Sequence, residues 1–243
     1  MKYRRLFQWF ALFFFQAGST FAGPPFTTDD PEPVNYKHWE YYISSINDLQ
    51  DKFWSGTLPH FEVNYGIIPG VQLHLLLPMN YGYNQGRINY SYANTEIGVK
   101  YRFIKETDHS PQIGVFPIIE VPTIKNSSFG NSKTQFYLPI WLQKSWGKFT
   151  TYGGGGYWIN PGIGNKNWLF TGWEAQYDFS PVLTLGGEVY FHTKTDIESQ
   201  SSTGFNMGGF VNFSSKFHLI FSVGHTVTNS SIFSSYTGLL WTI

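Results

Sequence analysis

The sequence predicts an all-β chain folded as an antiparallel transmembrane β-barrel of about 12 strands, with both termini on the periplasmic side. Three observations carry this expectation. Apolar and polar residues alternate with a period of two along most of the chain. Short turns alternate with longer polar connections. Charged residues are only 13% and aromatics 20%, yet no window after the N-terminus is apolar and long enough to span a bilayer as a helix.

The first element is MKYRRLFQWFALFFFQAGSTFA, residues 1–22. Lys2, Arg4 and Arg5 make a basic start, Leu6 to Phe15 an apolar run, and small residues lead to Ala22, the three-part pattern of a secretory signal peptide. A membrane-anchoring helix would need about 20 apolar residues, roughly twice the run present. The expected organisation is therefore a signal peptide at 1–22, a periplasmic N-terminal segment at 23–36 and an outer-membrane barrel at 37–243.

The chain has 16 basic and 16 acidic residues, and losing Lys2, Arg4 and Arg5 leaves 13 basic in the mature chain. Lysine and arginine are scattered, so no nucleic-acid surface is indicated. There is no cysteine, and an exported chain without disulfides needs another large source of stability, such as a core or a membrane.

The alternating template then places strands near 37–46, 58–67, 71–81, 94–104, 111–121, 134–144, 148–158, 168–179, 182–193, 204–213, 217–227 and 236–243. In EIGVKYRF, for example, Ile97, Val99, Tyr101 and Phe103 share one face and Glu96, Lys100 and Arg102 the other. Turn residues at IIPG, KETDHS, SWG, FSP and SSK mark short connections. Longer polar ones are expected near 47–57, 82–93, 122–133, 159–167, 194–203 and 228–235. Sequential hairpins also fit a soluble β-sandwich or lectin-like domain.

Two features strain the template. Pro59, Pro78, Pro117 and Pro139 fall inside expected strands and require bulges or strand ends, because a closed barrel has no free edge. The glycines at 153–156 leave the facing of residues 148–158 open, and are read as room for lumenal aromatics such as Tyr137 and Tyr152.

Projecting the polar face inward collects Glu62, His74, Glu96, Lys100, Arg102, Glu120, Glu174, Glu188 and His192, with His38, Glu40, His60 and His218 beside them. Centring one turn on Asp108 sets Glu96 opposite Glu120, and centring another on Pro181 sets Glu174 opposite Glu188. Such paired carboxylates repel, and so tend to share a proton, recruit a cation or lean on Lys100 and Arg102. They either form a constriction favouring cations or merely fill the barrel. Catalysis has little support: there is no G-x-S-x-G, no H-E-x-x-H, and the seven histidines lack a local nucleophile pattern. No metal or cofactor is expected.

The mature N-terminus, GPPFTTDDPEPVNYKHWE, resembles the outer-membrane family named for the MetA pathway of phenol degradation. The resemblance rests on Pro24, Pro25, Phe26, Thr28, Asp29, Asp30, Pro31, Glu32, Pro33, His38, Trp39 and Glu40, and extends more loosely as strand pattern over 34–243. It implies a transporter-like outer-membrane barrel that passes hydrophobic or aromatic compounds. The expected protein is a monomeric channel or passive transporter, with outer-membrane lipid and a small-molecule solute as its partners. The alternatives are a structural or adhesive barrel and a lipid hydrolase. From the residues alone, the four prolines hold the segment extended and outside any ladder, and Thr28, Asp29 and Asp30 offer turn-making acceptors. The segment is then either a plug in the periplasmic mouth or a solvated tail.

Overall fold

The structure, a computed structural model, describes residues 24–84, 86–123, 132–229 and 231–243. The expected signal peptide and Gly23 lie outside the described residues, as does most of the connection expected at 122–133. The described strands are β1 (Trp39–Gln50), β2 (Phe53–Ile68), β3 (Val71–Asn84), β4 (Arg87–Tyr92), β5 (Thr95–Ile104), β6 (Gln112–Val115) and β7 (Ile118–Val121). They continue as β8 (Gln135–Trp146), β9 (Phe149–Ile159), β10 (Trp168–Asp178), β11 (Leu183–His192), β12 (Ser202–Asn212), β13 (Phe217–Thr226) and β14 (Phe233–Thr242).

All pairings between these strands are antiparallel, and β1 pairs with β14 from Glu40↔Thr242 to Leu49↔Phe233, which closes the sheet on itself. β4 and β5 both pair with β3, and β6 and β7 both pair with β5 and β8. Each couple is one barrel strand with a break in it, so the fold is a closed barrel of 12 strand positions. Closure leaves no strand edge to solvate, which is the condition for strands to cross lipid.

Strand parity sets what faces outward. Along β3, Leu73, Leu75 and Leu77 are exposed while Gln72, His74 and Leu76 are buried. Along β8, Phe136, Leu138 and Ile140 are exposed, with Tyr137 and Trp141 buried between them. An apolar outside around a polar and aromatic inside is the arrangement of a barrel solvated by lipid. At the short-turn end the outer face carries stacked or edge-packed ring pairs, Trp146–Phe149, Tyr177–Phe179 and Phe213–Phe217, with centroids 6.1, 5.1 and 5.8 Å apart. These form an aromatic girdle of the kind found at membrane interfaces.

The expected long loops at 47–57 and 82–93 are corrected to tight hairpins. β1 runs on to Gln50, and Asp51 and Lys52 turn the chain with φ of 48° and 72°, the two positive values of a type I′ turn. β3 and β4 likewise stay paired as far as Asn84↔Arg87. Alternation reports a contrast between two faces and fades along Asn47–Gln50, where both are largely polar; in 87–92 it persists as Ile88, Tyr90 and Tyr92, set among Asn, Gly and Ser residues that equally suit a loop. The backbone ladder needs no such contrast, and continues through Asn47↔Ser235 and Asp48↔Ser234.

Each of the four prolines sits where the ladder is interrupted. Pro59 lies in the register shift between Thr57 and His60. Pro78 lies where the partner of β3 changes from β5 to β4. Pro117 separates β6 from β7, and Pro139 faces that same gap from β8. A missing N–H costs nothing where no partner strand asks for it. The break at Pro117 does not disturb register: Tyr101↔Val115 above it and Glu96↔Glu120 below it belong to one unbroken count, and the bulge falls instead between Arg102 and Ile104.

Candidate functional site: the lumen and its N-terminal segment

Residues 24–36 run through the inside of the barrel. Pro25, Phe26, Thr28, Asp30, Pro31, Pro33 and Val34 are buried, and Thr28 and Asp30 have no exposed surface. Four strongly φ-restricted residues keep the segment extended and cost it little entropy on ordering, and its backbone groups are met by the barrel wall rather than by a ladder. The N–H groups of Thr27 and Thr28 donate to the two carboxylate oxygens of Glu188, each at 2.7 Å. Ser222 donates to the Pro25 carbonyl at 2.6 Å, and the Val34 N–H donates to Gln72 at 2.9 Å.

The acidic residues are held by the two lumenal cations. Lys100 lies 2.9 Å from Asp29 and 3.3 Å from Asp30, and Arg102 pairs with Glu32 while also donating to Gln112 at 3.0 Å. Burial pushes the Asp30 carboxyl well above its ordinary range. Lys100 pulls it back, and the adjacent Asp29 raises it again.

Glycines open the wall where the segment touches it. A Cβ on Gly172 would come within 2.1 Å of the Thr28 hydroxyl, and one on Gly66 within 2.0 Å of the Asn35 carbonyl, where Tyr36 bridges to Gly66 before β1 begins.

The remaining inward groups fall into separate places. Glu62 lies 3.4 Å from His74, and Asn64 hydrogen-bonds to both, at 2.7 and 2.8 Å. Glu96 faces Glu120, whose carboxylate accepts from Asn94 at 2.7 Å and Gln135 at 3.0 Å. Glu174 faces Glu188 in the register computed from Pro181. His192 stands apart at the loop end, edge-on to Trp168 at 5.9 Å, and His38, just before β1, is exposed with its ring 3.0 Å from the Tyr36 carbonyl.

Two inward clusters escape a search for charge. Phe116, Tyr137, Trp141 and Phe170 pack together, with Trp158, Trp168 and Tyr190 against them. Tyr137, Trp158 and Trp168 form a stacked row across β8, β9 and β10, with centroids 4.7 and 5.3 Å apart. Tyr42, Phe210, Ile220, Tyr236 and Leu240 form the second cluster. In QFYLPIWLQ both parities are apolar, so periodicity is silent; Gln135 and Gln143, in step with Tyr137 and Trp141, were the available signal. The facing of β9 is also decided: Gly154 and Gly156 point inward, and a Cβ on Gly156 would lie 2.6 Å from the Tyr137 ring.

Of the histidines, His225 comes 3.3 Å from the Ser231 hydroxyl, but its other ring nitrogen meets the Thr226 carbonyl rather than a carboxylate. No group of three or more metal-ligating side chains occurs among the described residues.

No protein-family model and no curated protein matches the sequence. Solved structures do match the fold. The chain is similar to the COG4313 outer membrane channel from Pseudomonas putida F1, with a TM-score of 0.70 and 12% identity over 88% of this chain and 98% of that one. It is similar to the NanC porin, with a TM-score of 0.59 and 8% identity over 83% of this chain and 98% of that one. It is also similar to the KdgM porin in complex with disordered oligogalacturonate, with a TM-score of 0.56 and 11% identity over 82% and 98%. The fold is thus that of outer-membrane channels and porins.

Proposed function

We propose that this protein is a passive outer-membrane channel for small molecules, in which residues 24–36 form a plug that narrows the lumen from the periplasmic side. The observation that carries this reading is the segment's place inside a closed barrel, held by Glu188, Lys100 and Arg102. Short turns in such barrels are periplasmic, and the termini emerge at that end. Barrels near eight strands are filled by side chains and those of 16–18 hold water channels, so twelve positions allow a narrow path that a short segment can obstruct.

The charge arrangement favours cationic or neutral solutes over anionic ones. Asp29, Asp30 and Glu32 engage Lys100 and Arg102, and Glu62, Glu96, Glu120, Glu174 and Glu188 remain as an inward carboxylate excess. KdgM is a porin described with an oligogalacturonate, an acidic sugar chain; the lumen here argues for a different solute. The N-terminal resemblance to the phenol-degradation family suggests hydrophobic or aromatic compounds, and the stacked row Tyr137–Trp158–Trp168 offers such solutes a wall of matching chemistry.

Single-channel recording on the purified barrel tests the reading. We expect small, discrete conductance with cation preference, and larger conductance after deletion of Gly23–Pro33, because no ladder bonds are lost. A barrel that folds but conducts nothing with or without the segment would overturn it.

A further inference from the structure

We propose that a groove on the outer wall, between the 105–111 turn and the outer faces of β8–β10, is a seat for one glycerophospholipid. Its acyl chain would lie against Leu142 and Trp173, and its headgroup at Asp108, His109 and Lys144. The groove has a volume of about 580 Å³ and is lined by these residues together with Trp146. Three features built it. The 105–111 turn folds back over the wall because Glu106 accepts from the Ser145 N–H at 2.9 Å and pairs with Lys144 at 3.1 Å. Gly153, on the lipid face, has no side chain, and the Trp173 ring occupies that place: a Cβ there would lie 2.4 Å from the ring. Trp173 is fixed by donating its indole N–H to Thr151 at 2.8 Å.

The chemistry changes along the groove as it does along a lipid. Trp146 belongs to the aromatic girdle at the short-turn end, the level of headgroups. Above it Leu142 and Trp173 supply apolar surface, with the Thr151 hydroxyl between them engaged by the Trp173 indole and the Gln143 edge beside them, and Trp173 is five residues inside the end of β10. Below it, at the turn, Asp108 and His109 make no side-chain hydrogen bond among the described residues, and Lys144 already satisfies Glu106 and the Thr107 carbonyl with two of its three donors. A carboxylate beside two nitrogen donors complements a zwitterionic headgroup, with the ammonium at Asp108 and the phosphate at His109 and Lys144. Annular lipid needs no such dipolar rim. The inference rests on the barrel's lying in a bilayer and not on conduction, so a non-conducting barrel leaves it intact.

Native mass spectrometry of the barrel in mild detergent, with palmitoyl-oleoyl phosphatidylethanolamine added, tests it. We expect one lipid retained at collision energies that strip all others, with soluble glycerophosphoethanolamine failing to compete. Retention should fall about tenfold or more, the equivalent of 1.4 kcal/mol, in His109→Ala/Lys144→Ala and independently in Leu142→Trp. The second variant fills the groove without touching the Glu106–Lys144 pair, and heat-modifiable gel mobility certifies that both fold. Equal retention by the folded variants, no singly retained lipid, or preferential retention of lipid A or of detergent would overturn the proposal.

Discussion

Glu188 and Glu174 stand directly opposite each other on the β10–β11 hairpin, yet their carboxylates are in unlike situations. Glu188 accepts from the Thr27 and Thr28 backbone and from Asn206, at 2.7, 2.7 and 2.5 Å. Glu174 has no exposed surface, and neither of its carboxylate oxygens has a partner among the described residues. One member of a like-charged pair is thereby committed to the N-terminal segment. Glu188→Gln should loosen that segment, since hydrogen bonds to a charged acceptor are each worth roughly 1.5–3 kcal/mol. More frequent or larger open events in single-channel records are expected, with Glu174→Gln lacking this effect.

Lys100 is the second anchor. Removing one partner of a buried ion pair costs roughly 3–5 kcal/mol, because the other charge is left behind. Lys100→Ala strands Asp29 and Asp30 inside the wall, so the segment should leave the lumen while the barrel stays folded. Protease cleavage within residues 24–36 of Lys100→Ala, against resistance in the unaltered barrel, is the readout.

Acid should tighten the segment's seat. The Asp30 carboxyl is raised by burial in the docked segment, so docking takes up a proton that the released segment gives away near its ordinary value of 3.8. The docked form therefore gains fully below that value and loses this gain as pH rises through the raised one. Conductance should fall as pH is lowered through the raised value, and Asp30→Asn should flatten that response. An equal response in the variant would assign the effect to other carboxylates.

Steric access at Gly172 offers a test free of charge effects. Gly172→Ala places a methyl where the Thr28 hydroxyl now lies and should displace the segment, raising conductance. Adding Thr28→Ala removes the nearest atom and should restore the smaller conductance in part.

Glu96 and Glu120 face each other away from the segment. Replacing both by Gln should lower the cation-over-anion permeability ratio in reversal-potential measurements without changing the plug's protease resistance. Unchanged selectivity would mean that these residues only fill the barrel.

What could be read in the sequence was whatever is local or repeats locally. A period of two, sampled over ten residues, reports which face meets lipid, and turn residues at fixed spacing then set register, so the opposition of Glu174 to Glu188 followed from counting about Pro181. The same signal missed the strand ends at 47–57, where both faces are largely polar and the ladder continues regardless, and at 82–93, where Ile88, Tyr90 and Tyr92 alternate among loop-forming residues; in β8, where both faces are apolar, the strand and inward Tyr137 were legible but the aromatic cluster around it was not. The seat of the N-terminal segment was not legible. Its donors and acceptors lie as far apart in sequence as Thr28 and Glu188, and Pro25 and Ser222. No periodicity links such residues. Sequence alone pointed to a barrel and to the parity of its charged strands, including the opposition of Glu96 to Glu120 and of Glu174 to Glu188. Only closure of β1 on β14 brought those residues from opposite walls around one extended, proline-stiffened strand of chain, because a contact across a lumen exists only once the cylinder is complete.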